Sequence, residues 1–263
     1  MRPIIKWAGG KQRVISGIEE YLPKEINTYY ELFLGGGALF FYLAERNVFK
    51  SAILNDINPR LIQFYEEVKN NVLNLDTKLL KLVGSYQDNP EEFYYKVREW
   101  PMTAEVFLFL NKTCYNGLFR LNKSGKFNVP WGKRDRFYYE TENLLRASKL
   151  LQGAALNCTD YSNFSPSAGD FVYLDPPYIP LNKTSNFVSY TSEGFTLEDH
   201  KKLANYCGKL RDNGVAFILS NSATETTREL YEGFEIKEIY AKRLINCKTE
   251  KRGKIKELLI ISR

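Results

Sequence analysis

The chain has one histidine, four cysteines, two methionines and no uninterrupted apolar run approaching 18 residues in a length of 263. Each scarcity removes a class of chemistry. A single His200 excludes a histidine-based catalytic triad and a histidine-rich metal centre. Cys114, Cys158, Cys207 and Cys247 are too widely separated to supply a short-spaced zinc or redox pair, and they read as buried or incidental thiols. The opening MRPIIKWAGGK carries Arg2, Lys6 and Lys11 where a secretion signal needs an apolar stretch, so a soluble, cytoplasmic protein is expected. Internal repeats and low-complexity segments are also lacking.

What is present suits a folded α/β protein. Apolar residues make up 44% of the chain, enough for one large domain or two modest ones. Lys and Arg total 37 against 31 Asp and Glu, a net charge of +6, which permits a polyanionic partner without demanding one. That excess is local. Residues 111–139 hold Lys112, Arg120, Lys123, Lys126, Lys133, Arg134 and Arg136 against Asp135 alone, so the remainder of the chain is balanced.

The pattern along the chain predicts a strand over 29–34, a turn at Gly35-Gly36-Gly37 and a helix from ALFFYLAER. A second strand over 51–54 ends at Asn55-Asp56, and Pro59 opens a helix to about Lys69. Residues 72–110 read as helical, with Leu79, Leu80, Leu82 and Val83 as a buried stripe. Alternation of strand and helix resumes after about 140, with strands over 155–158, 171–174 and 215–220, a helix over 196–211, and an antiparallel pair over 234–240 and 257–261. The result is an α/β sheet domain, formed by 1–59 with 140–263, interrupted by a mostly helical insertion over 60–139. Lys123-Ser124-Gly125-Lys126 reads as the turn of a β-hairpin within that insertion.

Three segments carry chemistry. The glycine turn allows close backbone approach, and the following helix start offers amides to a polar ligand group. Asp56, about 20 residues on, stands where such folds place a carboxylate for ribose hydroxyls. Phe40 occupies the place of the third glycine of a dinucleotide fingerprint, which favours a smaller nucleoside over a nicotinamide cofactor. Ala8-Gly9-Gly10-Lys11 lacks the spacing of a phosphate loop, so an NTPase is excluded. The sharpest signal is Asp175-Pro176-Pro177-Tyr178 directly after the apolar strand FVYL. A carboxylate, carbonyls fixed by proline and an aromatic plane there suit a planar group bearing an amine.

These segments, in this order, resemble the DNA adenine methyltransferases that use S-adenosylmethionine (AdoMet). The matching pieces are KWAGGK at 6–11, ELFLGGGALFF at 31–41, LNDIN at 54–58, YNGLFRLN at 115–122, FNVPWG at 127–132, GDFVYLDPPYIPL at 169–181 and SNS at 220–222. The resemblance implies a Rossmann-like AdoMet-dependent methyltransferase sheet with helices on both faces, the insertion serving as a target-recognition domain. It implies that Trp7 and Lys11 contact the methionine end of AdoMet and that Phe33, Gly35 and Gly37 pass beneath it. Asp56 then holds the ribose, and Asp160 with Tyr161 the adenine of the cofactor. Asp175, Pro176 and Tyr178 hold the target amine, with an Asp175 of ordinary acidity sufficing to take the released proton.

On double-stranded DNA, the resemblance implies that Tyr115 wedges into the base stack beside Asn116, that Arg120 addresses a guanine edge and Lys6 an outer guanine, with GATC as the site. Lys123, Lys126 and Trp131 belong to the same basic and aromatic segment. No metal is implied, and a monomer in a prokaryotic or phage setting is expected. Two other readings stand beside this one: an amino methyltransferase acting on RNA or a protein glutamine, and a catalytically silent DNA-binding module.

Overall fold

The computed structural model describes residues 1–12, 14–180, 194–242 and 254–262; Cys247 and Leu181, the last residue of the GDFVYLDPPYIPL match, lie outside the described residues. In chain order the elements are α1 (Ile15–Glu19), β1 (Ile26–Glu31), α2 (Ala38–Ala44), β2 (Phe49–Asn55), α3 (Pro59–Asn70), α4 (Val72–Ser85), α5 (Pro90–Arg98), α6 (Ala104–Thr113), α7 (Thr141–Leu151), β3 (Ala154–Asn157), β4 (Phe171–Leu174), α8 (Leu197–Asp212), β5 (Ala216–Ser222), α9 (Glu225–Leu230), β6 (Glu235–Lys242) and β7 (Lys254–Ser262). They fall into two compact units. A sheet unit holds Lys11–Leu34, Asn47–Leu54 and Asp160–Arg263, and a helical unit holds Met1–Gly10, Gly35–Arg46 and Asn55–Thr159.

Six of the seven described strands belong to the sheet unit, in the order β2-β1-β4-β5-β7-β6. The first four run parallel, and β7 is antiparallel to both β5 and β6. All four side chains of β4 are buried, which is why Phe171-Val172-Tyr173-Leu174 reads as a continuous apolar run rather than an alternating one. In α8, Leu203, Cys207 and Leu210 recur at helical spacing and join Val172, Leu174, Phe217 and Leu219 in one core cluster. Each such large aliphatic or aromatic side chain contributes about 1.5–3 kcal/mol by burial. Thr196 caps α8 reciprocally with Asp199, so the helix starts one residue after the expected position. His200 sits in this core with both ring nitrogens unpartnered among the described residues, and burial pushes its pKa down to about 4, so the imidazole is neutral.

The strand expected over 29–34 is shifted. β1 begins at Ile26 and ends at Glu31, its register set by Ile26 opposite Phe49 and Glu31 opposite Leu54. Asn27 and Thr28 look like turn residues in sequence, yet pairing with β2 overrides their weak propensity. Because the order places β4 on the far side of β1 from β2, the carboxyl ends of β1 and β4 lie side by side, where open α/β sheets form ligand sites.

In the helical unit, the stretch expected to be helical over 72–110 divides into α4, α5 and α6. Pro90 occupies the first turn of α5 with Asn89 as its cap, and Pro101 separates α5 from α6. The buried face of α4 is Leu75, Leu79 and Leu82, whereas Leu80, expected in that stripe, is 56% exposed. A 3.6-residue period places 75, 79 and 82 on one face and turns 80 away. The hairpin forms as the turn residues require. Leu121 bridges Phe127, Asn122 N donates to Lys126 O at 2.8 Å, and the Asn122 side chain accepts from the Ser124 and Lys126 amides.

Candidate active site

In the sheet unit, β4 ends at Leu174 and delivers Asp175 to the carboxyl edge of the sheet. The segment after it is tied to β5 rather than left as a free loop. Asn221 Oδ1 accepts from Ile179 N at 3.1 Å, and Ser222 Oγ donates to Ile179 O at 2.6 Å, so the SNS residues hold the DPPY turn in place. Ser220 Oγ meets the Tyr173 hydroxyl at 2.9 Å below it. Lys11, almost fully buried, places its ammonium 2.9 Å from Asp175 Oδ1 and 3.9 Å from Glu257 Oε2. The same ammonium lies 4.5 Å from the centre of the Tyr178 ring, and the Tyr178 hydroxyl donates to Glu257 Oε2 at 2.8 Å.

Burial raises the Asp175 carboxyl to about 6, outweighing the ion pair with Lys11 that pulls the other way; Glu257 adds a smaller upward push. The expectation of an Asp175 of ordinary acidity is therefore corrected. Four residues from three distant parts of the sequence thus share one cation between two carboxylates.

Phe33, Asp160 and Tyr161 also lie in the sheet unit. Phe33 is half-buried, its ring 5.4 Å from that of Tyr161 and 5.9 Å from that of Phe195. Tyr161 is buried in the core cluster, its ring also 5.4 Å from that of Tyr206. Asp160 caps a short 3₁₀ turn, its Oδ1 accepting from Ser162 N at 2.9 Å.

The other residues expected at a nucleoside lie in the helical unit. Asp56 Oδ2 accepts from Gly35 N at 2.9 Å and its Oδ1 from Asn58 N at 3.0 Å, which leaves acceptor capacity on both oxygens. Desolvation raises its pKa and these two amides oppose the rise. Gly35 has φ +47°, and a Cβ there would lie 2.7 Å from Trp7 Cδ1, so both the turn and the indole require glycine. The Gly35 carbonyl accepts from the Tyr65 hydroxyl at 3.0 Å. The Gly35 amide is thus committed to Asp56, and Gly37, in the left-handed conformation, stands at the N-cap of α2. Trp7 stacks on Phe107 and Phe119 at centroid distances of 6.4 and 5.9 Å.

The basic residues expected at DNA lie in this same unit. Asn111, a buried amide at the end of α6, accepts from Lys6 N at 2.8 Å and donates to Lys6 O at 2.7 Å and to Gly117 O at 3.3 Å. It thereby fixes the Lys6 backbone against the turn that bears Tyr115, which is 47% exposed, and Asn116, which takes the left-handed conformation at φ +56°. Arg120 is braced across the hairpin, Nε donating to Asn128 Oδ1 at 2.7 Å and Nη2 to Asn128 O at 3.2 Å, so the outer edge of the guanidinium retains its remaining donors.

Lys123 and Lys126 are exposed at the hairpin tip, with Lys126 in a loose 3.9 Å pair with Glu99. Trp131 is half-buried, its indole N–H donating to the Tyr86 hydroxyl at 2.8 Å and its backbone bridging Cys114, so it also contributes to the frame of the hairpin segment. Sequence reasoning passed over Asn111, Asn128 and Glu257. The available signal for two of them was a polar side chain at the boundary of an apolar run, Asn111 at the end of FLFLN and Glu257 at the start of ELLII.

Comparison with known proteins gives consistent results. Residues 7–245 match the family model described as D12 class N6 adenine-specific DNA methyltransferase. The chain is 45% identical to the type II methyltransferase M.MjaIII of Methanocaldococcus jannaschii, covering 100% of this chain and 99% of that protein. It is 35% identical to the type II methyltransferase M1.LlaDCHI of Lactococcus lactis, covering 99% and 95%. It is 34% identical to the DNA adenine methylase of Haemophilus influenzae, covering 99% and 93%.

Proposed function

This chain belongs to the D12 class N6 adenine-specific DNA methyltransferases, and from that premise we propose that it transfers a methyl group from AdoMet to the exocyclic amine of an adenine flipped out of duplex DNA, within GATC, acting as a monomer. The observation that carries this reading is the buried Asp175, paired with Lys11 and flanked by Tyr178, at the carboxyl end of β4.

The donor set fits AdoMet. Within the helical unit, Asp56 retains acceptor capacity for two ribose hydroxyls and Trp7 lies against the Gly35–Gly37 turn assigned to the methionine end; within the sheet unit, the half-buried Phe33 beside Asp160 and Tyr161 offers a ring face to the cofactor adenine, and Lys11 a cation to the methionine end. Bound AdoMet supplies an electrophilic sulfonium methyl group.

The rest is the work of this chain. The adenine amine is a poor nucleophile because its lone pair is delocalised into the ring. Asp175 and the Pro176 carbonyl each accept one of its hydrogens, favouring the pyramidal form that frees the lone pair. Tyr178 stacks on the base and faces the positive charge that develops on nitrogen. The methylated amine is a strong acid, and the Asp175 carboxylate takes its proton. Reaching this pocket from within a duplex requires extrusion of the adenine at a cost of a few kcal/mol; the exposure of Tyr115 and the free outer edge of the Arg120 guanidinium support assigning Tyr115 to the gap and Arg120, with Lys6, to flanking guanines.

Single-molecule sequencing of plasmid DNA treated with the purified protein and AdoMet tests the proposal. The expected product is N6-methyladenine in GATC; methylation only of RNA or protein overturns it. Arg120→Ala is expected to lose about 1–3 kcal/mol of discrimination at one base pair, read as the ratio of kcat/KM on matched and mismatched duplexes. A uniform loss on all sequences makes Arg120 a phosphate contact instead.

A further inference from the structure

Glu257 stands near the described start of an otherwise apolar stretch of β7, opposite Ser222 of β5 and Ile239 of β6. None of the pieces that carry the family resemblance includes it. A carboxylate with only 15% of its side chain exposed, at an edge already carrying Asp175, costs desolvation and like-charge repulsion and persists only where something compensates. Its partners are specific: the Tyr178 hydroxyl at 2.8 Å and the Lys11 ammonium at 3.9 Å, the latter also 2.9 Å from Asp175 and 4.5 Å from the Tyr178 ring centre. A tyrosine ring held only by stacking on a cation can swing about its side-chain torsions, whereas a charge-assisted hydrogen bond at its far end pins the plane. One ammonium shared between two carboxylates leaves the cluster with one net negative charge, complementary to the cationic methyl donor and to the charge that develops on the target nitrogen.

We propose that Glu257 is a positioning residue for methyl transfer, fixing the plane of Tyr178 through its hydroxyl and holding Lys11 between two carboxylates. This rests on the assignment of Asp175 and Tyr178 to the target adenine. The groups that face Asp175 are Lys11 from the segment before α1, Glu257 from β7, Tyr178 from its own loop and Tyr173 from β4, with Tyr29 and Glu31 of β1 beyond. Of these, Glu257 is the carboxylate that raises the Asp175 pKa.

The test is a mutant cycle on the full chain with AdoMet and a GATC duplex, measuring kcat, KM for AdoMet and the pH profile of kcat/KM. Tyr178→Phe removes the hydroxyl that Glu257 holds, Glu257→Ala removes the holder, and Glu257→Gln keeps an acceptor without the charge. We expect Glu257→Ala to lower kcat about tenfold to a hundredfold with KM for AdoMet changed by less than about threefold. Tyr178→Phe should lower it similarly, and the double variant should fall no further than the single ones.

Glu257→Gln should recover most of the kcat lost in Glu257→Ala while moving the acid limb of the profile to lower pH, because a negative neighbour of Asp175 is gone. A scaffold role predicts neither the non-additivity nor the shifted limb. Wild-type kcat in Glu257→Ala, additive losses in the double variant, or an acid limb unmoved in Glu257→Gln overturns the proposal. If Glu257→Ala does not fold, the Glu257→Gln and Tyr178→Phe cycle decides the question. Absence of adenine methylation by the unaltered chain instead overturns the functional assignment.

Discussion

Asp175→Asn is expected to reduce methyl transfer by at least about a thousandfold while leaving a cooperatively folding protein. Asparagine presents an N–H where the target amine needs an acceptor, and it takes no proton. Its effect on stability has the opposite sign. The ordinary Asp pKa is 3.8 and burial raises that of Asp175 to about 6 in the folded chain. The protonated form therefore favours the fold, and the ionised form weakens it increasingly as pH rises from 3.8 through 6, by an amount on the order of 3 kcal/mol at neutral pH and above. The substituted amide is uncharged at every pH and escapes this cost, and Lys11 keeps Glu257 as a partner.

The thermal midpoint of Asp175→Asn at pH 8 should thus be no lower than that of the unaltered chain, the difference narrowing as the pH falls below 6. Calorimetry at pH 8 and pH 5 measures this, alongside radiolabel transfer to DNA. For the unaltered enzyme the same pKa sets an acid limb in kcat/KM near pH 6, below which the proton acceptor is already occupied. Normal turnover by Asp175→Asn removes the residue from the chemistry.

Gly132→Ala has the largest expected effect on stability, a loss of about 3 kcal/mol, toward the upper end of what overpacking costs. Gly132 N donates to Thr113 O at 2.9 Å, bringing the return strand of the hairpin segment onto the end of α6. An added Cβ meets the Cys114 carbonyl oxygen, lies 2.7 Å from its carbon and is 2.8 Å from Thr113 O. These are backbone atoms in a hydrogen-bonded ladder, so no rotamer change relieves the clash. A fall of about 6–12 °C in the thermal midpoint follows for a protein of this size. Gly84→Ala is the contrast. It lies in α4 with nothing within 4 Å of its added Cβ, and it should raise stability by about 0.5–1 kcal/mol through helix propensity. Equal responses in the two variants contradict this account of Gly132.

The legibility of this chain differed by level. DPPY after an apolar strand pointed to the candidate catalytic edge, because an apolar run of four residues suits a strand buried on both faces and two prolines constrain the backbone beyond it. The hairpin turn was equally legible, since Asn122, Ser124 and Gly125 supply the local hydrogen bonds and backbone freedom the turn demands. The ends of β1 and the exposed face of α4 were not: Asn27 and Thr28 join a strand through partners that arrive from β2, and Leu80 differs from its apolar neighbours only in phase. The hydrogen bond of Trp131 to Tyr86 was not legible either, since the two residues stand 45 positions apart and meet only through the fold.

By itself, the sequence excluded histidine-based and cysteine-based chemistry and displayed a carboxylate, proline-fixed carbonyls and an aromatic plane suited to an amine-bearing ring, the reaction itself coming from the family resemblance, and the basic excess in 111–139 pointed to a polyanion. Only the tertiary structure decided the electrostatic state of that set. The pairing of Lys11 with both Asp175 and Glu257, and the resulting proton affinity of Asp175, join residues far apart along the chain. Charge interactions depend on distance and solvent exposure, and neither is encoded in the local pattern from which motifs are read.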